Sequence, residues 1–134
     1  MSWRRLCAGV SWAYYVATGS EPDCADDAIE CPAVPQSART PGIWNPLPWF
    51  DTVHENDQLG NVAPLRDFFA AAKAGRLPAV SWVVPSQRVS EHPPGLVSRG
   101  EAYVTSLVNA VMRSPDWDAF LAAHPVGSTV EGEV

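Results

Sequence analysis

The sequence predicts an α/β fold, because it contains two strand-like segments and an amphipathic helix directly before the second of them. The segment Ala79–Val84 is short, apolar and rich in valine, which is typical of a strand in a parallel sheet. An amphipathic helical pattern over Pro64–Ala74 precedes it, and helices that alternate with strands indicate parallel α/β architecture. Another segment rich in β-forming residues, Val10–Val16, predicts a second strand.

After the first strand, the chain is predicted to be mostly loop as far as the helix. Thr18–Asp23 has turn chemistry, and the segment from Cys24 to Thr40 is acidic and has no clear period. Pro41–Phe50 is an aromatic, proline-rich loop that we expect to lead into a short helical turn near Phe50–His54. The chain has 13 prolines, so long loops of defined shape are expected, and such loops are usually functional or disordered.

The helix over Pro64–Ala74 is predicted from the i, i+3, i+4, i+7 spacing of Leu65, Phe68, Phe69 and Ala72. Gly75 suits the position that follows a helix end. The strand that comes next is almost continuously apolar, so we expect it to be buried on both faces.

Two further helices are predicted in the last third of the chain. Ser98-Arg99-Gly100-Glu101 reads as a capping box that opens a helix ending near Arg113. Its predicted core stripe comprises Val104, Leu107, Val108 and Val111. Ser114-Pro115-Asp116 has the chemistry of another helix start. Residues 1–124 are therefore interpreted as one incomplete domain and 125–134 as a frayed tail.

The composition bounds the possible functions. With 46% hydrophobic and 18% charged residues the chain is expected to be globular, and its net charge of -6 argues against binding to nucleic acid or anionic membranes. No stretch approaches the roughly 20 apolar residues of a membrane span, and Leu6–Ala17 lacks the apolar core of a secretory signal. Cys24 and Cys31 can form a disulfide in an exported protein or remain reduced, and Cys7 is expected to be a small core residue.

The best candidate for part of an active site is the pair Glu91-His92. It lies in the loop after the valine-rich strand, and ligands of open α/β sheets bind at the carboxyl ends of the strands. Pro93 and Pro94 follow directly and are expected to stiffen this loop. The alternative is that His92 is a structural loop histidine and that Glu91 is a solvated carboxylate.

Six segments in order resemble the bacterial phosphoesterase family, and together they extend from about Trp3 to Trp117. They are Gly9–Val16, Glu21–Cys24, Ile43–Phe50, Leu77–Pro85, Ser90–Pro94 and Ala102–Thr105. The family includes phosphatidylcholine-type phospholipases C and acid phosphatases. The resemblance implies a partial alkaline-phosphatase-like α/β/α sandwich, with many loops, and hydrolysis of phosphate esters.

The resemblance also implies a Ser or Thr nucleophile and a divalent metal held by carboxylates and an Asn. Those motifs are expected upstream of the matched region and shortly after Trp117, where this chain instead reads Asp118–His124. We therefore expect the chain to be a central fragment with no metal ligands and no tightly bound metal of its own. Family members are usually exported, which implies a secreted or periplasmic protein.

By resemblance, His92 faces the phosphoryl group as a donor or proton carrier and Glu91 orients it. Trp44 and Asn45 are expected to line the substrate cleft; the alternative is a loop that packs its own aromatic rings. The predicted substrate of the complete enzyme is a phosphate ester or phospholipid, and the fragment itself is expected to be inactive. The competing hypothesis is a non-catalytic remnant or a module that binds a partner through the aromatic loop.

Overall fold

The structure, a computed structural model, describes residues 9–23 and 32–128, and the α/β fold expected from the sequence is confirmed. Cys7, Cys24, Cys31 and the end of the predicted tail lie outside these residues. The predictions made for the cysteines and for the domain division therefore stay predictions.

A parallel three-stranded sheet forms the centre of the described structure. Its strands are β1 (Trp12–Val16), β4 (Val62–Pro64) and β5 (Val80–Val84), in the order β4-β1-β5. Both β4 and β5 run parallel to β1, which is therefore the middle strand. A small antiparallel pair, β2 (Gly19–Ser20) and β3 (Pro35–Gln36), follows β1 along the chain.

Four α-helices accompany the sheet in the described residues. They are α1 (Asp51–Glu55), α2 (Leu65–Lys73), α3 (Val97–Met112) and α4 (Pro115–Ala123). Helix α2 joins β4 to β5 and so crosses over the central strand β1. Gly75 follows its C-cap with a φ of 61°, a left-handed conformation that glycine adopts without strain, so the predicted helix end is confirmed.

The core lies between one face of the sheet and helices α2 and α3. Ala13, Tyr15 and Phe68 are buried there, and the rings of Tyr15 and Phe68 meet edge to face with centroids 5.5 Å apart. Leu107 and Val111 of α3 pack against this cluster, as predicted. Burial of a large apolar side chain contributes about 1.5–3 kcal/mol, so this cluster is what attaches the two helices to the sheet.

The predicted burial of β5 on both faces is wrong. In β5 only Val84 is buried, whereas Val80 and Trp82 are exposed. These two side chains lie on the face opposite the core, where the Trp82 ring meets Trp12 at 6.3 Å. The helices α2 and α3 cover only the core face of the sheet. The opposite face of β5 therefore remains exposed at Val80 and Trp82, although the strand is apolar.

Two predictions for α3 are also wrong. The helix begins at Val97 with Leu96 as its N-cap and has no capping side chain, so Ser98 lies inside the first turn. The reason is that the Leu96 carbonyl already accepts bonds from the Arg99 and Gly100 amides. Val104 and Val108 are about half exposed rather than core, because the packed face of α3 comprises Leu107, Ala110 and Val111.

Candidate active site

Two loops meet at the carboxyl end of the parallel sheet. One follows β1 and runs through β2 to Asp23, and the other follows β5 and runs to His92. Strands β1 and β5 are adjacent and parallel, and Val16 lies beside Val84. Both loops therefore leave the sheet at the carboxyl ends of neighbouring strands. This is the position at which open α/β sheets bind ligands.

The side chain of His92 forms a close pair with Asp23. The His92 Nε2 atom lies 3.0 Å from the Asp23 Oδ1 atom, and both side chains are about a quarter exposed. The other ring nitrogen, Nδ1, lies 2.8 Å from the carbonyl oxygen of Pro93. Both nitrogens thus face oxygen acceptors, and since a neutral imidazole carries one N–H, only the imidazolium form satisfies both contacts.

The backbone around His92 is held by short local bonds. The Ser90 hydroxyl donates to the Gln87 carbonyl at 3.0 Å and accepts from the His92 amide at 3.3 Å. The Pro93–Pro94 peptide bond is cis, and the Gly95 amide donates back to the His92 carbonyl at 2.6 Å. These bonds hold the backbone on both sides of His92 in a tight local turn.

A cavity of about 280 Å³ opens beside the pair. Its walls come from both loops and from the chain before β3: residues 20–22, 32–33, 87 and 92–94. The prolines among them make the wall rigid and partly apolar, while Glu21 and His92 provide polar groups. The cavity can accept a small group next to the His92 ring.

A larger cavity of about 450 Å³ lies between α2 and α3 and is lined by residues such as Phe69, Lys73 and Arg113. It has no histidine or carboxylate in its lining. We place the candidate site at the smaller cavity, because that cavity contains the imidazole that is paired with a carboxylate.

Glu91 is adjacent to His92 in sequence, but its side chain is directed to a different neighbour. It lies against Gly100 of α3 so closely that a side chain at Gly100 would overlap it, and Glu91 itself has a φ of 66°. The carboxylate that contacts the imidazole is that of Asp23. The orienting role expected for Glu91 is not tested by this arrangement and remains a prediction.

Trp44 and Asn45 lie in the loop before α1. Asn45 is 1% exposed, and its Nδ2 group lies 3.1–3.3 Å from the carbonyl oxygens of Ser37, Ala38 and Thr40. The Trp44 carbonyl accepts a bond from the Tyr14 hydroxyl at 3.0 Å. Neither residue is among those lining the cavity beside His92, and their predicted contact with substrate remains a prediction.

Asp23 is the functional candidate that the sequence reading missed. The sequence assigned it to a turn and to the Glu21–Cys24 segment of the family resemblance, without a role. Its position in the sequence could have indicated a role, because Asp23 follows one predicted strand as His92 follows the other. The ends of adjacent parallel strands lie side by side. However, the local sequences of the two strands do not predict that the strands are neighbours in the sheet.

The described residues contain no group of three or more His, Cys, Asp or Glu side chains arranged to hold a metal ion. The divalent metal that the resemblance implies therefore does not fit the residues seen here, and we derive no step through it. In the same part of the chain, no helix combines the length and the apolarity needed to cross a bilayer.

Comparison with known proteins supports the resemblance seen in the sequence. The model of the phosphoesterase family matches residues 5–122, which is most of the chain. A comparison with curated proteins gives no match. Because this match covers most of the chain, including both strands and both loops that form the candidate site, the chain belongs to the phosphoesterase family.

Proposed function

We propose that this chain provides the histidine-bearing part of an enzyme that hydrolyses phosphate mono- or diesters, of the phospholipase C or acid phosphatase type. The observation that carries the proposal is the His92–Asp23 pair, at 3.0 Å, in a cavity at the carboxyl edge of a parallel sheet. Family membership supports phosphoester hydrolysis in general. The type of ester is the part that we propose.

In the proposed mechanism, His92 gives a proton to the leaving oxygen. As the nucleophile oxygen forms its bond to phosphorus, the ester P–O bond breaks and leaves its electron pair on the leaving oxygen, which then takes the Nε2 proton of the protonated ring. In the structure, Nε2 is directed at the Asp23 carboxylate. The leaving oxygen therefore has to replace Asp23 Oδ1 as the hydrogen-bond partner of Nε2 during the reaction.

Asp23 orients the ring in this proposal. Its carboxylate accepts the Nε2–H bond in the resting site and so fixes the direction of that bond before the substrate arrives. The Pro93 carbonyl holds the opposite ring nitrogen at 2.8 Å, so the ring can lose its Nε2 proton and keep the Nδ1 proton. The ring is thereby prepared to release one particular proton.

The nucleophile and the metal ligands of the proposed enzyme are not assigned to any described residue of this chain, and we propose that other parts of a family enzyme provide them. In such an enzyme a divalent metal would neutralise charge at the phosphoryl oxygens and lower the pKa of the nucleophile that binds it. Secretion or periplasmic location, and a phospholipid or other phosphate ester as substrate, are likewise proposed from the family. Inactivity of the chain on its own follows from the same argument.

The first test is an assay of the purified chain with a chromogenic phosphate ester, with and without divalent metals. We expect no turnover above the buffer rate in either condition, because the chain has no assigned nucleophile. Metal-dependent turnover would overturn the proposed inactivity. It would also require a metal site that the described residues do not form.

The second part of the test concerns His92 itself. If the neighbouring DNA encodes an in-frame upstream extension with a Glu-Asn pair and a Ser or Thr nucleophile, the extended protein is assayed in the same way. We expect His92→Gln to lower kcat by about 10²- to 10⁴-fold, the usual contribution of a general acid. His54→Gln is the matched control, since His54 is exposed and bonds only locally to the Pro48 carbonyl. Equal activity of the two variants would remove His92 from the chemistry.

A second candidate function is a module that binds a partner through the aromatic loop. The observation that favours it is the exposure of Trp49 and Phe50, which are 58% and 52% exposed. A stop or frameshift in the coding sequence near Asp118, together with inactivity of any extended product, would favour this candidate over the enzyme.

A further inference from the structure

Gln36 connects the ends of the two strands that lead to Asp23 and His92. Its Nε2 group donates to the carbonyl of Ala17, directly after β1, at 2.9 Å. The same group donates to the carbonyl of Pro85, directly after β5, at 2.9 Å. The side chain is thus a bridge between the starting points of the two site loops.

The orientation of this amide follows from its surroundings. Both acceptors are carbonyl oxygens, so the reversed amide would place Oε1 against them and lose both bonds. Gln36 is 3% exposed, and water therefore has little access to these groups. Each of the two Nε2 protons has its own acceptor, and the bridge uses the complete donor capacity of the amide.

The backbone of Gln36 is held to the Asp23 loop as well. In β3 it pairs with Gly19 of β2, and next to it the Glu21 amide donates to the Val34 carbonyl at 2.8 Å. Gly19 in turn lies close to Ser86, at the start of the His92 loop, where an added Cβ would be 3.1 Å from the Ser86 Cβ. Through its backbone and its side chain, Gln36 contacts both loops.

The Gln36 amide makes both a favourable and an unfavourable contribution to stability. The Gln36 Oε1 atom is buried and has no hydrogen-bond partner among the described residues. A buried acceptor without a partner is unfavourable, but an apolar side chain of similar length would in turn leave the Ala17 and Pro85 carbonyls without this donor. What an apolar side chain cannot do is hold two neighbouring carbonyl oxygens at a fixed separation.

We propose that Gln36 is the positioning residue of the site: it sets the separation of the β1 and β5 loops and thereby the contact between Asp23 and His92. The catalytic meaning of this inference rests on the proposed function, but the geometric claim does not. The role is indirect, since Gln36 acts through the backbone carbonyls of Ala17 and Pro85.

The test is NMR spectroscopy of the complete 134-residue chain at one pH, with the His92 ring as the reporter. We expect the His92 Nε2–H signal to be observable in the unmodified chain, because the Asp23 contact slows its exchange with water. Asp23→Ala defines the spectrum of the broken pair. We expect Gln36→Met, which keeps length and removes both donors, to reproduce most of that change.

Gln58→Met is the matched control, because it makes the same chemical change at the start of a 3-10 helix, away from the His92 loop. We expect it to leave the His92 signal unchanged. If Gln36→Met lowers the melting temperature but leaves the His92 signal as it is, Gln36 is merely structural and the inference is overturned. An effect of equal size in Gln58→Met would overturn it too.

A measurement on the unmodified chain covers the case in which Gln36→Met does not fold. The Nε2 protons of Gln36 should exchange with solvent at least about tenfold more slowly than those of Gln58, as expected for buried and bonded amides. Equal exchange rates would show that the bridge is absent and would overturn the inference. Neither measurement uses enzymatic activity. Their outcome can therefore be interpreted even if the proposed function is wrong.

Discussion

At the scale of single residues, Asn45 determines the shape of the loop before α1. Its amide group, 1% exposed, donates toward three carbonyl oxygens of the preceding segment. We expect Asn45→Ala to lower the free energy of unfolding by about 1–3 kcal/mol, because buried carbonyls lose their donor. We expect Asn45→Asp to cost more, since a carboxylate would face the same carbonyl oxygens.

Urea unfolding followed by tryptophan fluorescence measures both effects. Asn109→Ala is the control: this residue lies inside α3, where alanine is the better helix former, so no loss of stability is expected. If Asn45→Ala is as stable as the unmodified chain, the loop does not depend on this amide.

Single residues also show which parts of the candidate site can be selected from the sequence and which cannot. The valine-rich strand, the proline that ends it and the Glu-His pair all lie within one short segment of sequence. These features were sufficient to select His92 as a candidate. Its partner Asp23 was not selected, because 69 positions separate the two in the chain (92 − 23) and only the pairing of β1 with β5 brings them together. Gln36 was missed for the same reason, since its two acceptors belong to different strand ends.

At the scale of secondary-structure elements, the start of α4 is the clearest local signal in the chain. Ser114 is the N-cap, is completely buried, and accepts a hydrogen bond from the Trp117 amide at 3.2 Å. Pro115 occupies the first helical turn, where it fits without strain. The predicted helix start at Ser114 is therefore confirmed.

We expect Ser114→Ala to lower the free energy of unfolding by about 0.5–2 kcal/mol, because the Trp117 amide loses the Ser114 hydroxyl as an acceptor and keeps only the Ser114 carbonyl. Thermal or chemical unfolding monitored by circular dichroism measures this. Ser98→Ala is the matched control, since Ser98 lies inside the first turn of α3 and caps nothing. A larger loss in Ser98→Ala than in Ser114→Ala would contradict the assignment of both helix starts.

Elements differed in how well their sequences specified them. Helix α2 was predicted almost to the residue, because its apolar period and the glycine after it agree. Strands β2, β3 and β4, of two or three residues, were not predicted, since segments so short carry no period. The exposed Val104 and Val108 show the same limit: periodicity gives a helix an apolar side, but the packing partner decides which part of it is covered.

At the scale of the whole molecule, the α/β class followed from local patterns but the strand order did not. The order β4-β1-β5 places the first strand in the middle, and both of its partners come from later in the chain. In this order the carboxyl ends of β1 and β5 are neighbours, and the loops that follow them bring Asp23 and His92 into contact. The candidate site is thus a product of topology, and no single segment contains it.

The packing of this sheet also determines how the protein should respond to alkaline pH. Burial raises the pKa of Tyr14 and Tyr103 above the ordinary value of 10.0. Burial raises the pKa of Tyr15 as well, and the nearby Asp67 carboxylate adds to that effect. The native state therefore keeps these protons at a pH where the unfolded chain releases them, so the free energy of unfolding should be unaffected below pH 10 and should fall as the pH rises above it.

Denaturation midpoints measured from about pH 8 to about pH 11, with tyrosine ionisation followed by absorbance, test this expectation. Tyr103→Phe is the informative variant, because the Tyr103 hydroxyl is buried without a hydrogen-bond partner among the described residues. Removing it should leave neutral-pH stability equal or higher and should make the alkaline decline less steep, since one ionising group is gone. Tyr14→Phe should reduce the alkaline decline but lower neutral-pH stability, because it removes the bond to the Trp44 carbonyl. A stability that stays level above pH 10 would show that these hydroxyls ionise as readily in the folded chain as in water. A steeper decline in Tyr103→Phe would contradict the contribution assigned to Tyr103.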